Sequence, residues 1–221
     1  MEKIKINFVD FWDNLDKTDN YFYHLLSMKY KVVIDEDNPD LLFFSVDYAK
    51  RKERDRYINH RCKKIFYTGE NVSPNFDFHK EQRDQSYLIP VDWLLNRTPV
   101  AFPPKNKFCN FVFSNNAGKR LEILDALGLY KTVHCAGRLA NNVGYYIKGR
   151  GDQKSKVDFL SSYKFTIAAE NTQNDGYTTE KIIHPLSVGS IPIYWGSETV
   201  AADFNPSCFI NVDHFSCFKE L

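Results

Sequence analysis

The run from Glu170 to Lys181, Glu-Asn-Thr-Gln-Asn-Asp-Gly-Tyr-Thr-Thr-Glu-Lys, gathers carboxylates, an ammonium and many hydrogen-bonding groups in one short segment. The apolar stretch before it, Phe165 to Ala169, reads as a buried strand, and Thr178 to Val188 reads as a helix. In a parallel α/β sheet, ligands settle beyond the carboxyl ends of strands, where the first N–H groups of a helix attract phosphate. Lys181 adds a full charge at that point. An early lysine opposes the helix dipole, and a bound anion would remove the conflict. Glu180 and Lys181 are neighbours at the helix start and face different directions, so one can meet a diphosphate while the other accepts hydrogen bonds from ribose hydroxyls. Without a ligand, Glu180 is simply an acid complementing a first turn capped by Thr178. Asn171 and Tyr177 are further candidates for phosphate or sugar hydroxyl contacts.

Other residues extend this chemistry. Arg120 opens a helix after the polar turn Ser114-Asn115-Asn116-Ala117-Gly118, the topological counterpart of a phosphate-binding turn, and its guanidinium can bind phosphate oxygens in bidentate fashion. As an alternative it is a solvated helix arginine. Arg138, after Cys135-Ala136-Gly137, also follows a strand end. Glu70 lies just beyond the strand Lys64 to Tyr67, after a glycine that permits a tight turn, where a carboxylate can act as general base or sit solvated in a loop. Asp10 and Trp12 follow the first strand and are candidates for an acceptor sugar, since aromatic faces stack on sugar rings. Packing of Trp12 against the next helix explains it equally. Asp35-Glu36-Asp37 has the Asp-x-Asp spacing of metal-dependent transferases, yet before Asn38-Pro39 it reads as a solvated turn. The six histidines show no ligand spacing, so no metal site and no cofactor are read.

Composition narrows the function classes. Twenty-nine basic and twenty-eight acidic residues leave a formal charge of +1 in 221 residues. No global field draws the chain to nucleic acid, so any anion site is local. Five cysteines without Cys-x-x-Cys spacing argue against a disulfide framework or a zinc knuckle and favour a reducing compartment. The amino terminus alternates like a strand rather than a signal peptide, and no stretch reaches the roughly 20 apolar residues of a membrane helix. A soluble, cytoplasmic protein is expected, with peripheral membrane contact left open and the oligomeric state undetermined.

The elements that position these residues fall into two sets. Strand-like runs at Ile4 to Val9, Tyr30 to Ile34, Leu41 to Val46, Lys64 to Tyr67 and Tyr87 to Val91 alternate with helical connections, among them Asn20 to Met28 with Tyr21, Leu25 and Met28 near one face. Pro99, Pro103 and Pro104 then interrupt regular structure. A second set follows, with strands at Phe108 to Ser114, Thr132 to Ala136, Phe165 to Ala169, Ile191 to Tyr194 and Cys208 to Val212. Its helices are Gly118 to Leu127, Val157 to Tyr163 and Thr178 to Val188. The reading is α/β: two Rossmann-like doubly wound domains, residues 1–97 and 98–221, facing a cleft.

The motifs Phe165 to Asn171, Tyr177-Thr178-Thr179-Glu180-Lys181 and Ile191-Pro192-Ile193-Tyr194-Trp195-Gly196 resemble those of the bacterial alpha-1,3/1,4-fucosyltransferases of glycosyltransferase family ten. So do Phe66 to Phe76 and Asp203-Phe204-Asn205-Pro206 with the strand after it. The resemblance implies the two-domain GT-B fold, an inverting transfer of L-fucose from GDP-fucose to a hydroxyl of an N-acetylglucosamine-containing glycan, and a place in lipopolysaccharide biosynthesis or protein glycosylation. It implies Glu70 as the base, Lys181 and Arg120 at the diphosphate, and Glu180 at the ribose. The first domain would be the acceptor side and the second the donor side. The family usually continues with helical sequence past a point like Leu221, so the second domain reads as truncated, with Asp213-His214-Phe215 beginning a further helix. Two alternatives stay open: a metal-dependent transferase of another nucleotide sugar, and a non-catalytic glycan- or nucleotide-binding module.

Overall fold

The alternation of Lys and Asn with Ile, Phe and Val over residues 3–9 produces the first strand, β1 (Lys3–Val9), whose second half is fully buried. The computed structural model describes residues 1–46, 56–68, 101–102, 104–147, 153–218 and 220–221. It divides into two compact units, Met1–Glu81 and Gln82–Leu221.

In the first unit, β1 is joined by β2 (Lys31–Ile34), β3 (Leu41–Phe44) and β4 (Lys63–Phe66) in a parallel sheet of order β2-β1-β3-β4. Ile6, Phe8, Phe11 and Phe43 form the core on one face, and Val9, Leu42, Phe44 and Tyr57 on the other. The helix α1 (Tyr21–Ser27) begins where the Asn20 side chain accepts a 3.0 Å hydrogen bond from the Tyr23 N–H. Its buried face differs from the sequence expectation. Phe22 stacks on Phe43 at 4.6 Å, so Phe22, Tyr23 and Leu26 turn inward while Tyr21, Leu25 and Met28 stay exposed. The segment YFYHLLSM offers two apolar stripes, and the aromatic cluster beneath selects the one that carries the Phe22 ring.

The connection from β2 to β3 also departs from the helix-alternating pattern, being only the loop 35–40. Register explains it. β2 pairs with Lys3 to Ile6 and β3 with Ile6 to Val9, so the end of one strand and the start of the other meet at the same level of β1. A helix is not needed to return the chain. The expected strand Tyr87 to Val91 and the proline-rich break up to Val100 lie outside the described residues.

In the second unit, β5 (Lys107–Phe111), β6 (Val133–Cys135), β7 (Tyr163–Ala169), β8 (Ile191–Trp195) and β9 (Ile210–Asn211) form a parallel sheet of order β6-β5-β7-β8-β9. Its helices are α2 (Arg120–Tyr130), α3 (Gln153–Leu160) and α4 (Glu180–Ser187). One face packs Ile167, Ile193 and Trp195 against Ile123 and Leu127 of α2, and the other packs Ala168 and Tyr194 against Ile182 of α4. Covering on both faces is why β7 and β8 read as continuous apolar runs. Tyr163, expected to end a helix, instead opens β7, with its ring buried. The expected helix at Asp213 is a single 3-10 turn, Val212–His214. Among the described residues no helix is long and apolar enough to cross a membrane.

Candidate active site

β7 delivers its chemistry at its last step. The ladder to β8 ends with Ala169 beside Trp195, and the Glu170 N–H closes it on the Trp195 carbonyl at 2.9 Å. The Glu170 carboxylate then points into the protein, completely buried. One oxygen accepts from the Thr179 N–H at 2.8 Å, the Thr179 hydroxyl reaches both oxygens at 2.8 and 2.9 Å, and Lys181 Nζ lies 2.8 Å from the second. A buried carboxylate is tolerated only when ringed by such partners. A side chain at position 196 would leave no room for it: a Cβ there would come within 2.6 Å of Glu170 Cγ and of the Tyr194 hydroxyl.

This arrangement corrects two sequence expectations. The cap of α4 is Thr179 rather than Thr178, its hydroxyl accepting from the Lys181 N–H. The conflict between Lys181 and the helix dipole is met inside the protein by Glu170. Glu170, named in the sequence only as part of the loop, is therefore the anchor of the segment, and the available signal was an acid directly after the apolar end Ile167-Ala168-Ala169 of the strand.

Lys181 lies between two acids, with Glu180 Oε1 at 3.9 Å, and both side chains keep about a fifth of their surface exposed. Burial pushes the Glu180 carboxyl up, but the ammonium groups of Lys181 and Lys156 outweigh it and hold Glu180 below the usual range. One turn further, burial drops His184 to about 4, so this imidazole is neutral. Arg120 is also buried. Its Nε and Nη2 donate to the Ala169 carbonyl at 3.1 and 2.9 Å, and Nη1 donates to the Asn115 carbonyl at 3.3 Å and to the Asn115 side chain. Burial pulls its pKa down while Glu170, Tyr177 and Glu180 push back. Arg120 thus ties the turn after β5 to the end of β7. Gly118 lets that turn close: its φ is +57°, and a Cβ would overlap the Trp195 ring.

The loop between β7 and α4 is equally fixed. The Gly176 N–H donates to Ser197 Oγ and Thr199 Oγ1, each at 3.0 Å, and the Tyr177 N–H closes a turn on Asn174. The structure accordingly brings Arg120, Tyr177, Glu180 and Lys181 to one edge, with Tyr177 buried and Asn171 half-buried at its start. Arg138 is exposed in the turn after β6, whose next residue donates its N–H to the Phe113 carbonyl at 3.3 Å.

In the first unit, Asp10 and Trp12 follow β1 as expected but diverge in exposure. Asp10 is buried with φ at 60° and accepts from Arg56 Nε at 2.9 Å, whereas Trp12 is 43% exposed and, among the described residues, its ring meets the edge of Phe11 alone. Asp35 is ion-paired to Lys5 at 2.7 Å and Glu36 to Lys17, and those partners hold both carboxyls below the usual range. The Asp-x-Asp run is therefore the salt-bridged turn that carries the chain from β2 to β3. Glu70 lies outside the described residues.

Two parallel α/β units in one chain, the second with a charge-lined carboxyl edge, define the GT-B class of glycosyltransferase folds. Residues 6–91 match the alpha-(1,3)-fucosyltransferase FucT N-terminal domain, and residues 102–221 match the glycosyltransferase family 10 (fucosyltransferase) C-terminal domain. The chain belongs to glycosyltransferase family 10. It is 33% identical to the alpha-(1,3)-fucosyltransferase FucT of Helicobacter pylori, a match that takes in 98% of this chain and 55% of that protein. It thus spans about half the length of that relative. A crystal structure of an alpha1,3-fucosyltransferase superposes with a TM-score of 0.73 at 30% identity, over 99% of this chain and 76% of the other. A crystal structure of alpha1,3-fucosyltransferase with GDP-fucose superposes with a TM-score of 0.72 at 30% identity, over 100% and 76%.

Proposed function

We propose that this chain is an inverting fucosyltransferase that moves L-fucose from GDP-fucose to a hydroxyl of an N-acetylglucosamine-containing glycan, without a metal ion. The observation that carries the reading is the Glu170–Lys181 pair at the end of β7, which holds an ammonium at a helix start beside Arg120 and Glu180 in a chain of this family. The superposition on a structure described with GDP-fucose supports the donor. Residues 1–97 form the acceptor side and 98–221 the donor side, a junction supported by the gap between the two family matches.

In this mechanism Glu70 takes the proton of the acceptor hydroxyl as its oxygen bonds to the anomeric carbon. The bond from that carbon to the β-phosphate oxygen breaks on the opposite face, and GDP departs with the electron pair, which inverts the centre. Lys181 and Arg120 offset the charge that grows on the diphosphate, where preorganised charge lowers a barrier most. Glu180 accepts from the ribose hydroxyls, Asn171 and Tyr177 contact phosphate or sugar hydroxyls, and Asp10 and Trp12 meet the acceptor.

Calorimetric titration of GDP, GDP-fucose and UDP into the chain in EDTA tests the reading. Binding of the guanine nucleotides alone is expected, with Lys181→Ala weakening GDP at least tenfold and Glu70→Gln abolishing transfer while leaving GDP affinity intact. Loss of transfer on adding EDTA, equal binding of UDP, or full transfer by Glu70→Gln would overturn it.

A further inference from the structure

Among the described residues, the charges that act on one another around α3 and the start of α4 do not balance. Besides Arg120 and Lys181, a third cation, Lys156, stands on α3, the helix packed against α4, within electrostatic reach of Glu180, Lys181, Glu170 and Arg120. Among the described residues within that reach, three cations therefore face two carboxylates, and His184, neutral through burial, changes nothing. Glu170 is committed to Thr179 and Lys181, and Arg120 to neutral carbonyls.

Helical geometry shows that Lys156 faces inward. Lys154 and Asp158 pair with each other on the solvent side of α3, both largely exposed. Residue 156 lies about 200° around the helix from 154, on the same side as Leu160, which is 1% exposed. Lys156 itself is half-buried, and no carboxylate of the described residues sits within ion-pair distance of its ammonium. Burial pulls its pKa down, with Glu180 only partly opposing. A desolvated ammonium without a close counter-charge costs stability, so a position that keeps one is suited to an anion.

We infer that Lys156 is a third cation of the donor site, a binding residue that holds the nucleotide-sugar diphosphate from α3 while Arg120 and Lys181 hold it from α2 and α4. The inference rests on the donor reading above. It also implies that Lys156 lowers the stability of the free protein, as residues kept for binding often do.

The experiment compares wild type, Lys156→Met, Lys156→Arg and, as a reference, Lys181→Ala, by calorimetry with GDP and with guanosine and by thermal melts without ligand. Lys156→Met should bind GDP at least tenfold more weakly, bind guanosine as wild type does, and melt no lower than wild type. Lys156→Arg should recover most of the GDP affinity. GDP affinity within twofold of wild type in Lys156→Met, or an equal loss for GDP and guanosine, would overturn the inference even while Lys181→Ala upholds the donor site. If wild type binds no GDP, the donor reading falls first and this inference with it.

Discussion

Two carboxylates, Asp10 and Glu170, occupy matching places in the two units, each the first residue after a strand and each buried, yet their surroundings are opposite. Both oxygens of Glu170 are occupied by Thr179 and Lys181. Asp10 gives one oxygen to Arg56, and its Oδ2 has no hydrogen-bond partner among the described residues. Saturation turns a strand-end carboxylate into scaffold, whereas an open oxygen leaves it able to accept from something else. Under the proposed function Glu170 is accordingly a positioning residue, acting through Lys181, and Asp10 is the one of the two with spare acceptor capacity.

The largest effect expected from this contrast is on Glu170. Glu170→Ala leaves the buried Thr179 N–H without its acceptor and the half-buried Lys181 ammonium without its counter-charge, and breaking a largely buried pair this way costs about 3–5 kcal/mol. Calorimetric melting should show it as a large drop in Tm, with Glu170→Gln milder because it keeps one acceptor oxygen. A Glu170→Ala protein that melts like wild type would abolish the distinction between the two edges.

Acid should separate the edges as well. His184 has a folded pKa of about 4 against about 6.5 unfolded, so between those values the unfolded chain binds the extra proton. Stability is therefore complete above about pH 6.5 and falls as pH drops toward 4, by about 3 kcal/mol for a shift of this size. Glu180, held below its usual value, acts in the same direction at still lower pH. His184→Asn should flatten the slope of denaturant-derived stability between pH 6.5 and 4, and an unchanged slope would show that the acid sensitivity arises elsewhere. The first unit has no equivalent, since His24 is exposed and His60 half-buried among its described residues.

How legible these features are in sequence depends on whether a signal is local. The strands of the second sheet read well because burial on both faces leaves unbroken apolar runs, and the polar loop after β7 stands out against them. Lys181 and Glu180 are visible from position alone. What stays hidden is which neighbours satisfy which group: that Thr179 rather than Thr178 caps α4, that Glu170 answers Lys181, and that Arg120 is spent largely on Ala169 and Asn115. The Glu170–Lys181 and Arg120–Ala169 contacts run across 11 and 49 residues, with no periodic trace. The inverted face of α1 has the same origin, for the Phe43 ring that selects Phe22 lies on another strand. Lys156 sits in a lysine-rich helix start that reads as ordinary solvated surface until packing shows that residues 154 and 156 face opposite ways.

The smallest expected change sharpens the contrast most. Asp10→Asn keeps a side-chain oxygen for Arg56, replaces a buried oxygen that has no partner, and places in the left-handed region a residue that tolerates it well. The lost ion pair is modest because the Arg56 side chain is 46% exposed, so the stability change should stay under about 1 kcal/mol. Under the proposed function, the acceptor KM should nevertheless rise several-fold while GDP affinity is unchanged, because an amide NH2 in place of Oδ2 cannot accept from a sugar hydroxyl. A destabilisation as large as that of Glu170→Ala would mean that Asp10 is scaffold after all. An acceptor KM equal to that of wild type would mean that its open oxygen serves no ligand.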